Sequence, residues 1–341
     1  DKDFDGDPVV IYEPGSYKPP IPPEDTVTVD DPPIDPPNDE PGRTKYVIGD
    51  VTDSNSIQRV ISQTKPNEVY NLAAQSFVGN SWEISNDTTH VNAIGPLNIL
   101  NAIKNTDTQI KFYQASTSEM YGNSVKKIQD EKTNFEPASP YAISKLYAYW
   151  ITVNFRKSYN MFCSNGILFN HESPIRGLEF VTRKISDGVA QIKFGKQKFL
   201  SLGNINAKRD WGFAGDYVEA MWLMMQSKRP DDYVIATKTQ YSIKDFLKIA
   251  FETIGIIDWQ KYVKIDNNFK RPLDVQSLCG NYQKAKKDFG WTPKTKFEEL
   301  VRLMVKEDLK RHEKTSSSLK VLKTLSKEKF KITGVSKRFS A

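Results

Sequence analysis

The 341-residue chain has little of what would tie it to a metal, a membrane or an oxidising compartment. It holds two cysteines, Cys163 and Cys279, and three histidines, His90, His171 and His312. Two distant thiols form no disulfide framework and lack metal-ligand spacing, so no metal is expected. A reducing cytoplasm is the expected home. No apolar run approaches the roughly 18–20 residues of a membrane span, so no membrane partner is expected either. The first residues are acidic and carry no apolar h-region, which argues against a secretory signal peptide.

What is present is divided unevenly. Residues 1–43 hold eleven of the nineteen prolines, with nine Asp and three Glu against Lys2, Lys18 and Arg43, a net charge of −9. Proline fixes φ and removes a donor, so neither a helix nor a central strand passes through such a segment. Only Val9–Tyr12 could form a short strand, and the segment is expected to be largely extended or disordered. The overall net charge is +6, so the remaining chain carries +15. A body that basic suits nucleic acid or a phosphorylated ligand. With no zinc finger, RNA-binding aromatic signature or base–aromatic interleaving, no nucleic-acid partner is expected.

From Tyr46 onward, strands alternate with helical patterns. Strands are expected at Tyr46–Ile48, Glu68–Ala73, Ile110–Ala115 and Met161–Phe169. Helices are expected from Ser54 to Thr64, from Trp82 to Lys104 with a restart near Asn92, and from Ser139 to Tyr159. That order predicts βαβ units and a doubly wound, Rossmann-like parallel sheet. Later helices fall near Val181–Phe194, Asp216–Gln226, Ile243–Gly255 and Glu298–Lys310, with short strands at Lys198–Leu202 and Tyr233–Ile235. The expected division is therefore an acidic segment over 1–43, a dinucleotide-binding core over 44–170, a mainly substrate-binding α/β region over 171–313 and a basic tail over 314–341. In that tail, Leu319, Val321, Leu322 and Leu325 have helical spacing, and the stretch from Thr315 to Ala341 holds seven Lys/Arg. It reads either as a solvated tail or as a partner-binding helix.

The chemistry concentrates between Gln114 and Lys145. A strand ending in Gln114-Ala115 runs into Ser116-Thr117-Ser118-Glu119, where open α/β sheets bind ligands, beyond the carboxyl ends of their strands. Tyr141 and Lys145 follow, four residues apart and so on one helix face. Free tyrosine titrates near 10 and is a poor base at neutral pH. A neighbouring ammonium and an oxidised nicotinamide favour the phenolate, which can then take a proton from a sugar hydroxyl.

These residues, together with Tyr70–Ser76, Phe112–Gly122, Asn165–Pro174, Phe180–Ile185 and Ala207–Gly212, resemble the extended short-chain dehydrogenase/reductases, and within them the GDP-mannose 4,6-dehydratases. The likeness runs from about Tyr46 to His312. It implies that Tyr141 deprotonates the C4 hydroxyl, Thr117 hydrogen-bonds it, Lys145 holds the nicotinamide ribose, and Glu119 removes the C5 proton. Ser118 stands where related dehydratases carry an aspartate acid, which shifts the acid role towards Glu119. The resemblance further implies NADP as cofactor, with Asp50 and Val51 near its adenine and Ala73 and Gln75 near its middle. GDP-mannose is the implied substrate, with Lys184, Arg209 and Arg271 on the diphosphate or its ribose and Asn170 near the sugar. A homodimer built on long helices is implied, with the helix of Tyr141 as one candidate contact, while the tetramer loop of the family has no counterpart.

The chain departs from the family at its front, where the basic pair that recognises the 2′-phosphate of NADP is also absent. The family's opening strand, Gly-x-x-Gly-x-x-Gly turn and helix, which cradle the cofactor pyrophosphate, have no match, because Gly6, Gly15 and Gly42 are isolated among prolines. The chain is therefore expected to hold NADP weakly. Three readings stay open: the dehydratase itself, a binding or interaction protein descended from it, and an epimerase or reductase of the same superfamily. The Ser118-Glu119 pair and the Asn170–Pro174 run argue against the last.

Overall fold

A computed structural model describes residues 46–266, 275 and 277–314. The acidic segment, Arg271 and the basic tail beyond Lys314 lie outside the described residues.

Helix α1 (Ser54–Thr64) begins one residue later than its cap: Asp53, not Ser54, is the N-cap, its carboxylate accepting from the Asn55 amide at 2.9 Å. Strand β1 (Glu68–Asn71) follows, then α2 (Ser85–Thr89) and α3 (Gly95–Thr106). A π turn at His90–Ile94 joins those two helices, so the restart expected near Asn92 is a change of pitch. The buried Asn92 side chain accounts for it, since it both accepts from and donates to the Gln75 backbone, at 2.9 and 3.0 Å. Such π insertions cluster at functional sites. Strand β2 (Lys111–Thr117), helix α4 (Pro140–Tyr159) and strand β3 (Cys163–Leu168) complete the first half. Ser139 caps α4 by accepting from the Ala142 amide at 3.1 Å, and Pro140 occupies the first turn, where its missing N–H costs nothing.

The second half contributes β4 (Asn170–Glu172), α5 (Val181–Lys193), β5 (Leu200–Leu202), β6 (Lys208–Arg209), β7 (Trp211–Phe213) and α6 (Ala214–Met225). It continues with β8 (Asp232–Ile235), β9 (Tyr241–Ser242), α7 (Ile243–Thr253), β10 (Val263–Ile265), α8 (Gln283–Phe289) and α9 (297–314).

The main sheet is parallel throughout, in the order β1-β2-β3-β8. Helices cover both faces, as a doubly wound sheet requires. Phe112 points to the layer of Ile57, Ile99 and Ile103 from α1 and α3, while its neighbour Tyr113 points to Tyr217, Met224 and Trp291 beside α6 and α8. Burying one such aromatic contributes about 1.5–3 kcal/mol, so this alternation specifies the register strongly. A second core, of Ile185, Phe246, Leu247, Trp211 and Leu300, holds α5, α7 and α9 together beyond the sheet.

The strand expected at Tyr46–Ile48 is not formed: residues 47–50 have no regular structure, and Tyr46 and Ile48 are 75% and 87% exposed. A three-residue strand survives only by pairing. Among the described residues, β1 is the sheet edge and Tyr46–Ile48 has no partner strand in it.

Candidate active site

The carboxyl ends of β1, β2 and β3 open onto one cavity of about 1150 Å³. On its wall, Thr117 ends β2 and caps the short turn Ser118–Tyr121 by accepting from the Glu119 amide at 3.2 Å. That cap brings the Glu119 and Ser118 side chains to the cavity wall. Tyr141, in the first turn of α4, faces them and is hydrogen-bonded to the Thr117 hydroxyl. Burial pushes the Tyr141 phenol up to about 12, the nearby Glu119 charge pushes the same way, and the Thr117 hydroxyl and the Arg176 charge oppose them. Lys145, one turn further on, is buried and donates to the Ala115 carbonyl at 3.1 Å. Thr117, Ser118, Glu119, Tyr141 and Lys145 therefore share one end of the cavity.

The other end is basic. Asn170, Lys184 and Arg209 all line it, delivered by β4, by the first turn of α5 and by β6. Burial holds the Lys184 amine below its ordinary range, against the pull of Asp266. Arg209 is almost fully buried and donates to the Lys208 carbonyl at 2.9 Å. Desolvated cations facing a cavity attract an anion more strongly than exposed ones. Arg271 falls outside the described residues.

None of the four residues expected near the cofactor's adenine and middle is part of the cavity wall. Beyond β1 the chain is extended, and its alternation sends Leu72, Ala74 and Ser76 to the cavity. Ala73 packs against the core, and Gln75 is held by Asn92 and by the Phe77 carbonyl. The Val51 side chain lies in the core against Gly95, and the Asp50 carboxylate accepts from the amide and hydroxyl of Thr52, both at 2.8 Å.

The model of the family described as GDP-mannose 4,6 dehydratase matches residues 26–304. The chain belongs to the GDP-mannose 4,6-dehydratase family. GDP-mannose 4,6 dehydratase 1 of Arabidopsis thaliana is 50% identical over 280 residues, covering 81% of this chain and 77% of that protein. The human GDP-mannose 4,6 dehydratase is 48% identical over 286 residues, covering 79% and 77%. Among solved structures, RMD from Pseudomonas aeruginosa, complexed with NADPH, matches with a TM-score of 0.70 at 21% identity, covering 79% of this chain and 92% of that one. DesIV, a dTDP-glucose 4,6-dehydratase from Streptomyces venezuelae with NAD and TYD bound, gives a TM-score of 0.71 at 21% identity over 80% and 81%. At such identity these two speak for the fold alone, and the parallel sheet with helices on both faces is that fold.

In this GDP-mannose 4,6-dehydratase family member, three cavity residues had no role from sequence. Arg176 stacks on the Phe180 ring with its guanidinium carbon 3.5 Å from the centroid, and its Nε lies 3.3 Å from the Glu172 carboxylate. Glu172 is buried and also accepts from the Thr182 hydroxyl at 2.7 Å. His171 stacks on Tyr217, and burial holds its imidazole down at about 4, so it is neutral at pH 7. The only sequence signal for His171 and Glu172 was the Asn170–Pro174 run itself, and Arg176 lies beyond it, since neither burial nor pairing is visible in residue order.

The described residues fit one part of a nicotinamide dinucleotide. The end beside Tyr141 and Lys145 offers an enclosed wall with a cation. Among the described residues, no strand, Gly-rich turn and helix N-terminus face the cavity to cradle a pyrophosphate.

Proposed function

We propose that the chain is a nicotinamide-dependent GDP-mannose 4,6-dehydratase, forming GDP-4-keto-6-deoxymannose and water. The observation that carries this reading is the meeting of Thr117, Glu119, Tyr141 and Lys145 at one end of a cavity whose other end presents Asn170, Lys184 and Arg209. An acid–base set beside an anion site suits a sugar nucleotide bound diphosphate-first.

With the sugar at the reactive end, Tyr141 takes the proton of the C4 hydroxyl and Thr117 orients that hydroxyl. Lys145 supplies the positive charge that offsets the burial of the phenolate. The ketone formed at C4 acidifies the C5 proton, which Glu119 removes. Glu119 then returns that proton to the C6 hydroxyl, which leaves as water, with Ser118 beside it. Accepting hydride from C4 and returning it to C6 would be the part of a bound nicotinamide, NADP by the family's habit; C5 then regains a proton by way of Glu119 and Tyr141 gives up the one it took from the C4 hydroxyl, so the reaction is redox-neutral and proton-balanced overall. Arg271 belongs to the proposed diphosphate set with Lys184 and Arg209.

The chain is proposed to act in a reducing cytoplasm, consistent with two free, buried cysteines. Among the described residues no helix is long and apolar enough to cross a membrane. On α4, Ile143, Tyr147 and Trp150 form an exposed apolar stripe, which suits a homodimer contact and is checked by sedimentation of the chain. Incubation with GDP-mannose and NADP, followed by mass spectrometry, tests the reading: a product lighter by one water supports it. A product of unchanged mass, as an epimerase makes, overturns it. An impaired binding protein would instead take up GDP without turnover.

A further inference from the structure

Resting on the nucleotide-sugar reading above, we infer that Asp210 is the positioning residue that aims Arg209 at the substrate diphosphate. The segment from Arg209 to Trp211 is extended, so its side chains alternate: Arg209 and Trp211 line the cavity, and Asp210 points to the opposite side. There it is fully buried and accepts four hydrogen bonds. One oxygen takes the Thr237 amide at 2.8 Å and the Thr237 hydroxyl at 2.6 Å. The other takes the Lys238 amide at 2.9 Å and the Gly280 amide at 3.1 Å.

These donors come from two remote stretches. Thr237 and Lys238 follow β8, so the carboxylate ties the cavity wall to the main sheet. Lys238 has φ of 64°, a left-handed conformation that a residue with a side chain holds only when its surroundings impose it. Gly280 approaches so closely that a Cβ there would lie 2.3 Å from Ala236 and 2.7 Å from Phe169. The same stretch is fixed to Gln129, whose side chain accepts from the Cys279 amide at 2.9 Å. Arg209 hangs from the residue that gathers all of this. Asp210 touches no cavity atom itself, and its effect on the ligand runs through its neighbour.

A carboxylate suits this place because all four donors converge on two oxygens with no other acceptor needed. An amide would turn an NH₂ towards N–H or O–H donors and force the wall to shift. Arginine recognises a diphosphate through a fixed fork of donors, so a small displacement costs it geometry as well as distance.

The test is a double-mutant cycle on the full chain, read by calorimetric titration with GDP. Arg209→Ala is expected to weaken GDP binding roughly 30-fold, Asp210→Asn about 10-fold, and the double variant no more than about 2-fold beyond Arg209→Ala. Losses that multiply in the double variant, or an Asp210→Asn chain that binds GDP like wild type, overturn the inference alone. A wild-type chain that does not bind GDP overturns the nucleotide-sugar reading and the inference with it. Should Asp210→Asn fail to fold, Thr237→Val removes one of the four donors. It is expected to weaken GDP binding about 3-fold while Thr237→Ser restores it, and unchanged binding in Thr237→Val counts against the inference.

Discussion

The two ends of the cavity are built to different standards. At the substrate end, Glu172 is held by the Thr182 hydroxyl, and Arg209 follows Asp210, whose buried carboxylate accepts from the loop after β8. At the β1 edge, Leu72 and Ile48 are 57% and 87% exposed, and residues 47–50 adopt no regular structure. The proposed acid–base groups, and Lys184 and Arg209 of the proposed diphosphate set, are thus held by the described residues, which offer no cradle for a cofactor pyrophosphate. On the proposed reading, binding of the sugar nucleotide's diphosphate and binding of the dinucleotide's pyrophosphate would rest on different strands and so be separable.

The largest expected effect lies at the reactive end. Glu119→Gln keeps the shape of the side chain and its place after the Thr117 cap but removes the base. In a chain that turns over GDP-mannose, it should lower kcat by roughly 10²–10⁴-fold with GDP affinity nearly unchanged. Steady-state kinetics paired with GDP titration reads both quantities, and wild-type turnover in this variant would remove Glu119 from the mechanism.

A smaller effect is expected from the cofactor. Fluorescence titration of the chain with NADP should give a dissociation constant on the order of 1 mM or weaker, because a pyrophosphate without converging amides gains little. GDP should bind more tightly. Micromolar affinity for NADP would erase the contrast between the two ends and show that residues outside those described complete the site.

How much of this was legible in residue order depends on the length of each element. Helix α4 was readable because twenty residues with no glycine and no proline after Pro140 begin at a Ser-Pro cap, and β2 and β3 because they run seven and six residues between helical patterns. Strands β4, β6, β7, β9 and β10 have two or three residues each, too few for any period. They form because remote segments meet, as Asn170–Glu172 does with Trp211–Phe213. The residues at the reactive end were readable for the same reason as their elements, being carried on β2 and α4. Ala73 and Gln75 were expected near the middle of the cofactor, whereas Leu72, Ala74 and Ser76 line the cavity, and nothing local to Leu72–Ser76 says which parity faces it. Arg176 lies beyond the recognised run, and its ring partner Phe180 is four residues on. Only folding brings this cation towards Tyr141.

The smallest expected effect concerns His171, which lines the cavity and stacks on Tyr217. Its imidazole is held at about 4 by burial, below the roughly 6.5 of an unfolded chain. The unfolded state therefore binds the proton first as pH falls. His171 contributes stability that is complete above about pH 6.5 and is lost as pH drops towards about 4, by roughly 3 kcal/mol. Burial raises Glu172 and brings Asp210 to about 6, so these carboxylates act in the opposite direction and blunt the acid limb of the whole chain. Their contribution is common to wild type and to His171→Gln, which also loses the stack on Tyr217 at every pH. Urea unfolding of both proteins at about pH 7 and about pH 4.5 isolates the histidine, with the variant keeping about 2–3 kcal/mol that wild type loses on acidification. Parallel losses in the two proteins would mean that His171 is accessible to protons in the folded chain, and the closed cavity wall at His171 would have to be redrawn as an open one.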